Sequence, residues 1–393
     1  MARWLAPEEY GAFAVALSIF YLLAGFHTAV ITEPMMVFGA GKYREHFRKY
    51  LGVLLWGHWA VSTFVALGLS GAAWFFLRSG SPLGKAMLGL AAASPFLLLL
   101  WLTRRACYTN LQPAWAVAGS VVNLFVVLAG LFLLWPAGLL STLTGLILLG
   151  AAAGTASLAL TFIYLRPHVW DFSEYPTLAM VFQDHWSYGS WNLLGVIAYW
   201  ASGQILMLLI PLFLGLATGA AVAAIWNLYR PVGLFMQSLG LVLMPTFSKW
   251  FNAGMPLKRR AVFFAGLFGG VTFLYGIFLS VGAEDVLHMI YGAKYDKYKV
   301  LVEPFCLVIV ASVISGIFNM TLKVIGRVRR VALIWGFSSI FVLTIGVFMI
   351  VVSGILGAVI AYAGSYTLAA ILAFVNLNNE TKSQITSAKG GGL

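Results

Sequence analysis

Arg230 lies near the middle of a long apolar run, 217–246, and Pro231 follows it directly. An ionisable group at that depth costs several kcal/mol unless it faces a cavity or a partner. A proline removes a backbone donor and disturbs the turn before it, which can open the helix locally. Asn227, Arg230 and Gln237 fall on one face of an unbroken helix, a polar stripe on an otherwise apolar element. Two readings stay open. A guanidinium facing a cavity would hold an anionic substrate, because its planar fork matches phosphate. An Arg paired with a carboxylate would instead lock two helices together.

Three further groups could do chemistry. Glu33 precedes Pro34 about two turns before the end of the first apolar run. It could exchange a coupling ion, H+ or Na+, or it could cap a kinked half-helix. His27 could titrate near neutral pH, as could His58, or each could simply bond a neighbouring helix. In the run 188–216, Tyr188, Asn192, Gly195, Tyr199 and Ser202 share one face, with Trp191, Trp200 and Gln204 nearby. Aromatic faces and amides suit a glycan, and the same residues suit helix packing through small and polar side chains. Ser312, Ser315 and Asn319 form a similar stripe that reads as packing.

Catalytic patterns are absent from the sequence. It has no nucleophile elbow, no phosphate-binding Gly-Lys loop and no metal-ligand spacing. No enzyme activity, ATP site, metal or organic cofactor is therefore expected; any pumping would use an ion gradient or the substrate's own gradient. The two cysteines, Cys107 and Cys306, imply no disulfide framework.

The elements that carry these residues are membrane spans. The chain has 393 residues, of which 61% are hydrophobic and 9% charged, far below the roughly 25% charge of a soluble domain. Eleven apolar stretches are long enough to cross a bilayer: 11–39, 51–77, 83–103, 113–134, 139–165, 188–216, 217–246, 261–281, 300–322, 331–351 and 354–376. The runs are continuous rather than alternating, so they predict helices and exclude a barrel. The net charge of +12 is not the mark of a nucleic-acid binder. Seventeen of the 24 Lys and Arg fall on one side of the alternating topology, chiefly in the loops 42–49, 249–260 and 323–330 and in the tail. That asymmetry makes those loops and the C-terminus cytoplasmic.

The chain also repeats itself weakly. Leu5-Ala6-Pro7, Tyr10-Gly11, a long span, Pro34 and a basic loop are followed, two hundred residues on, by Leu214-Gly215, Gly219-Ala220, a long span, Pro245 and a basic loop. The second unit has a span before it (188–216) and the first has none. The expected fold is thus all-α and polytopic, with about eleven transmembrane helices in two pseudo-repeated lobes, the first helix of a twelve-helix plan missing. The lobes are expected at 1–185 and 186–377, followed by a polar cytoplasmic tail, 378–393.

Several segments resemble the polysaccharide-transporter branch of the multidrug/oligosaccharidyl-lipid/polysaccharide exporter superfamily, which includes O-antigen and exopolysaccharide flippases. Residues 4–18, WLAPEEYGAFAVALS, are similar to that branch's Leu-Gly-Pro-Glu-x-Tyr-Gly motif, with Ala6 in place of the usual Gly. The others are LVLMPTFSKW (241–250), VLHMIYGAKYDKY (286–298) and LKVIGRVRR (322–330), and ITEPMMVFGAGKYREHFRKYL (31–51) is closer to one sub-branch. The resemblance implies two lobes around a central cavity in a bacterial cytoplasmic membrane. It also implies a flippase that moves a polyprenyl-pyrophosphate-linked oligosaccharide by alternating access, with other polysaccharide-assembly proteins as conceivable partners. In that frame Arg230 attracts the pyrophosphate, the 188–202 stripe touches sugars and Glu33 carries the coupling ion. A drug or cation exporter of the same fold is the alternative, disfavoured by Arg230. A membrane-embedded glycosyltransferase or polymerase would need a large outer loop, and 283–298, with Glu284, Asp285, His288 and Asp296, is short.

Overall fold

A computed structural model describes residues 1–170 and 175–390. Among the described residues the regular elements are all helices, with no strand. Nine helices are long and apolar enough to cross a membrane, or ten when one pair bent by 42° counts as a span. The difference from eleven is a matter of joints. The stretch Val328–Glu380 passes as one span, yet Gly354 turns it with φ 59° and ψ −136°. Only glycine takes that conformation without strain, so two limbs meet there. The run expected at 217–246 is two helices end to end.

By its contacts the chain divides within the helix Leu178–Gly203, into Arg3–Ile197 with Met1, and Ala198–Leu393 with Ala2. The N-terminal unit opens with α1 (Pro7–His27), a π-helical segment (Thr28–Thr32) and α2 (Glu33–Ala40). Pro7 occupies the first turn of α1, where no donor is needed, and Glu8 and Glu9 meet the positive end of the helix. Then come α3 (Phe47–Arg78), α4 (Pro82–Thr109), α5 (Pro113–Leu134), α6 (Thr142–Ala159) with a π-helical end (Leu160–Leu165), and α7 (Leu178–Gly203). Ser81 caps α4 and Ser141 forms a capping box with Thr144 on α6. The most buried helix is α4, which packs against α3, α6 and α1. Small residues, Ala93, Gly150 and Ala153, let α4 and α6 approach closely.

The C-terminal unit continues with α8 (Leu206–Leu214), α9 (Leu216–Leu228), α10 (Arg230–Asn252), α11 (Leu257–Val281), α12 (Ala283–Tyr291), a 3-10 segment (Gly292–Leu301), α13 (Val302–Val324), α14 (Val328–Phe341) with a π-helical segment (Val342–Gly346), and α15 (Val347–Gly390). Here α13 is the central helix, packed on α11 and α15. Each unit thus surrounds one buried helix after a span that is broken in its interior. Large apolar side chains such as Phe64, Phe125, Phe132, Phe278 and Phe348 are exposed. In water each would cost about 1.5–3 kcal/mol relative to burial; against lipid tails it costs nothing. The protein is a multi-pass membrane protein.

Broken helices free backbone groups, and in lipid each must find a partner. Tyrosine and serine hydroxyls supply them. Val232 turns back to the Tyr229 carbonyl, and the Tyr275 hydroxyl donates to the freed Leu228 carbonyl at 2.8 Å. Tyr229 itself donates to Val302 at 2.7 Å. At the end of α7 the Gly203 carbonyl accepts from Tyr362 at 2.8 Å. The polar end of α15 is helical through Gly390. Glu380 holds it there, accepting from Arg327 at 2.8 Å and Arg330 at 2.6 Å.

Candidate functional site

The broken span α9–α10 carries the first group. Arg230 is the first residue of α10 and Pro231 the next, so the proline sits where its missing N–H costs least. Arg230, Asn227 and Gln237 are all exposed. Arg230 and Gln237, two turns apart, share a face of α10. Asn227 does not continue it. The helix ends at Leu228 and restarts at Arg230, so the expected three-residue stripe is divided between two helices. No charged residue other than Arg230 occurs between Thr218 and Ser248.

The stripe on α7 is divided too. Tyr199 is exposed, with its ring edge-on to Trp335 at 5.1 Å. Ser202 is buried and donates to the Tyr199 carbonyl at 2.8 Å. Tyr188 belongs to the N-terminal unit, where its ring meets Phe38 at 6.2 Å. The side chain of Asn192 lies outside the described residues. Ser315 and Asn319 are buried, and Ser312, Ser315 and Asn319 all bond backbone carbonyls of their own helix, which is a packing arrangement.

In the N-terminal unit, α1 does not kink at Pro34 alone. It first widens into the π-helical turn Thr28–Thr32, and Glu33 and Pro34 begin α2. Glu33 interacts electrostatically with Arg105 of α4 and with Tyr188 of α7. His27 and His58 are both buried and meet each other: His27 Nε2 and His58 Nδ1 are 3.1 Å apart with rings at 89°. No spacing rule joins residues 31 positions apart; the pairing arises because the first span and α3 both pack on α4.

At the basic-loop end of this unit lies a network that sequence reading missed. Asp184 accepts from Lys42 Nζ at 2.7 Å and from the Tyr43 hydroxyl at 2.5 Å. Burial alone would raise the Asp184 carboxyl; the bonds from Lys42 and Tyr43 outweigh it and hold it below the ordinary carboxylate value. Burial, then the same carboxylate, pushes Tyr43 up to about 12. Next to it, His185 Nδ1 donates to the Val30 carbonyl at 2.8 Å and its Nε2 accepts from Tyr50 at 2.5 Å. The signal that could have found this was an adjacent Asp and His just before a span. Beside the network a groove of about 480 Å³ is lined by Arg44, His46, Arg48, Lys49 and His168 among others. None of the expected substrate residues lines it.

His185 makes the network sensitive to acid. Burial lowers its pKa below the ordinary histidine value, against the Val30 bond and the Asp184 charge. The fold thus favours the neutral ring. Its contribution is present above about pH 6.5 and is lost as pH falls through the lowered value. Thermal melts from about pH 7.5 to about pH 5 should show Tm falling more steeply for the natural chain than for His185→Gln. Parallel pH profiles would contradict this. Asp184 acts in a separate window, below about pH 4.

No family model matches the chain, and no curated protein matches it. Solved structures do. A multidrug resistance MATE family transporter of the MOP superfamily, in an inward-facing conformation, is 12% identical over 98% of this chain and 92% of that one, with a TM-score of 0.73. The lipid II flippase MurJ, inward closed, is 15% identical over 97% of this chain and 83% of that one, at 0.72. The Vibrio cholerae MATE transporter VcmN in its bent form is 15% identical over 97% and 96%, at 0.60. The chain therefore has the fold of these MOP-superfamily transporters.

Proposed function

We propose that the chain is a transporter that moves a polyprenyl-pyrophosphate-linked oligosaccharide across a bacterial cytoplasmic membrane by alternating access. The observation that carries this reading is Arg230, an exposed guanidinium at the start of α10 with no other charged residue between Thr218 and Ser248. An exposed guanidinium fork matches a pyrophosphate, with charge-assisted hydrogen bonds about twice as strong as neutral ones. Gln237 on the same face, and Tyr199 on α7, suit the sugar end of such a lipid. The fold is shared with a lipid II flippase, which makes a lipid-linked substrate physically reasonable for this architecture. Glu33 and His27 are the groups through which H+ or Na+ would couple, and the basic loops face the cytoplasm.

A second reading is favoured by the equally good structural match to a multidrug transporter. A cation exporter, however, calls for carboxylates in its binding surface, and the α9–α10 span offers a cation. Deleting the gene in its host separates the two. Accumulation of lipid-linked oligosaccharide on the inner leaflet, reversed by the gene, is the expected result. New sensitivity to cationic drugs without accumulation would favour the exporter. Absence of the lipid-linked precursor itself would point to an assembly enzyme.

A further inference from the structure

The interior of the N-terminal unit holds polar atoms that the proposed substrate contacts do not use. His27 and His58 are 3% and 0% exposed, and they bond each other. The outer ring nitrogens, His27 Nδ1 and His58 Nε2, have no hydrogen-bond partner among the described residues. Neither have four buried hydroxyls on the same elements: Thr28 and Thr32 in the π-helical turn, Ser62 one turn beyond His58, and Ser94 on α4. Pro95, next to Ser94, has its carbonyl close enough to act on His58, though outside hydrogen-bonding geometry. Buried polar atoms are almost always satisfied, so a cluster of unsatisfied ones calls for an explanation.

Proton counting supplies one. Two neutral imidazoles carry two protons on four nitrogens. One proton lies in the shared bond, so one outer nitrogen is a donor and the other a bare lone pair, whichever tautomers are present. A third proton fills that lone pair without breaking the shared bond. Both outer nitrogens then donate, that of His58 toward the Pro95 carbonyl. A fourth would make all four nitrogens donors and break the pair. Hydroxyls suit such a change because each can turn from donor to acceptor. The π-helical turn adds slack, since its widened ring leaves backbone that an α-helix would lock.

We propose that His27 and His58 form a one-proton site inside the N-terminal unit. Its ligand is H+ and not Na+, because imidazoles and hydroxyls without a carboxylate suit a proton better than a hard cation that needs oxygen ligands and charge. The charged and titratable groups around it are few. On the first span the nearest in sequence are Tyr21 and Glu33; α3 has none besides His58 between Tyr50 and Arg78; α4 has none between Lys85 and Arg104; α6 has none. Arg105 of α4 acts on His27. From α7, His185 reaches Val30 and Tyr188 reaches Glu33. Arg105 opposes added positive charge, and Glu33 beside Arg105 offsets it. The balance limits the pair to one proton. As the ion that drives translocation, H+ rests on the transporter reading above; the proton site itself does not.

The test is a titration of the full chain, labelled with 15N-histidine and held in lipid nanodiscs. The chain has six histidines, assigned by single His→Gln variants. The expected result is one shared protonation step for His27 and His58 as the pH is lowered. Trp59, whose ring lies 5.3 Å from His58, should change its fluorescence in the same step. In His58→Gln the shared step should vanish. Should that variant fail to fold, the natural chain alone decides. Both rings remaining neutral down to the lowest pH at which the chain stays folded would overturn the proposal, as would two separate protons taken up independently. Neither result bears on which substrate is moved, which the gene deletion reads separately.

Discussion

Arg230→Ala is expected to cut translocation of the lipid-linked oligosaccharide by roughly tenfold to a hundredfold while the protein inserts into the membrane. Arg230 is exposed at the start of α10, so truncating it leaves no cavity. What is lost is a charge-assisted hydrogen-bond fork. Hydrogen bonds to charged groups contribute about 1.5–3 kcal/mol, roughly tenfold to a hundredfold in binding. Arg230→Lys keeps the charge and loses the fork, so it should fall between. The measurement is inner-leaflet lipid-linked oligosaccharide in a deletion strain carrying each variant, beside Tm in detergent. Full activity in Arg230→Ala would remove the guanidinium from the mechanism. A fall in Tm together with activity would assign Arg230 to holding helices instead.

Gly189→Ala should destabilise the chain by about 1–3 kcal/mol, the usual cost of overpacking. An added Cβ would meet the Ala29 carbonyl oxygen at 2.7 Å and the Val30 Cα at 3.0 Å. Both belong to backbone of the π-helical turn, which cannot swing aside as a side chain can. The shift would also strain the His185 bond to Val30. At Gly195, on the same helix, an added Cβ would meet no atom within 4 Å. There Gly→Ala should be neutral or stabilising by up to about 1 kcal/mol, because alanine is the better helix former. Opposite signs for two identical substitutions six residues apart are the expected outcome of thermal melts. Equal effects would mean that α7 does not pack on the first span as described.

Much of the architecture was legible because lipid imposes a simple rule on sequence. Continuous apolar runs had to be helices, and every one of the expected runs is helical. The interruption at Arg230 was legible too, since Pro231 has no donor to give. Its consequence for Asn227 was not. Sharing a face assumes an unbroken rotation of 100° per residue, and the restart at Arg230 discards that phase. The π-helical turn at Thr28–Thr32 escaped for a related reason: one extra residue in a turn leaves no mark on composition. His27 and His58 were each visible as histidines in apolar runs, but their meeting depends on how two spans pack, which no local pattern records. Asp184 and His185 were hidden differently. Polar residues before the span 188–216 read as loop, whereas α7 begins at Leu178 and carries both residues on its first turns. The helix is extended by its contacts to Tyr43, Tyr50 and Val30, and tertiary contacts override local polarity.

The central claim, translocation of a pyrophosphate-linked oligosaccharide, is most directly tested with the purified chain in liposomes. The liposomes would carry a short-chain polyprenyl-pyrophosphate oligosaccharide with a fluorescent sugar. A membrane-impermeant glycosidase then reads which leaflet the sugar occupies. The expected result is that cleavage proceeds from the outer-leaflet share to the whole pool, and stops at the outer share in empty liposomes. Cleavage that stops at the outer share with the folded chain present, while the same liposomes take up a cationic dye, would contradict the claim and support a cation exporter.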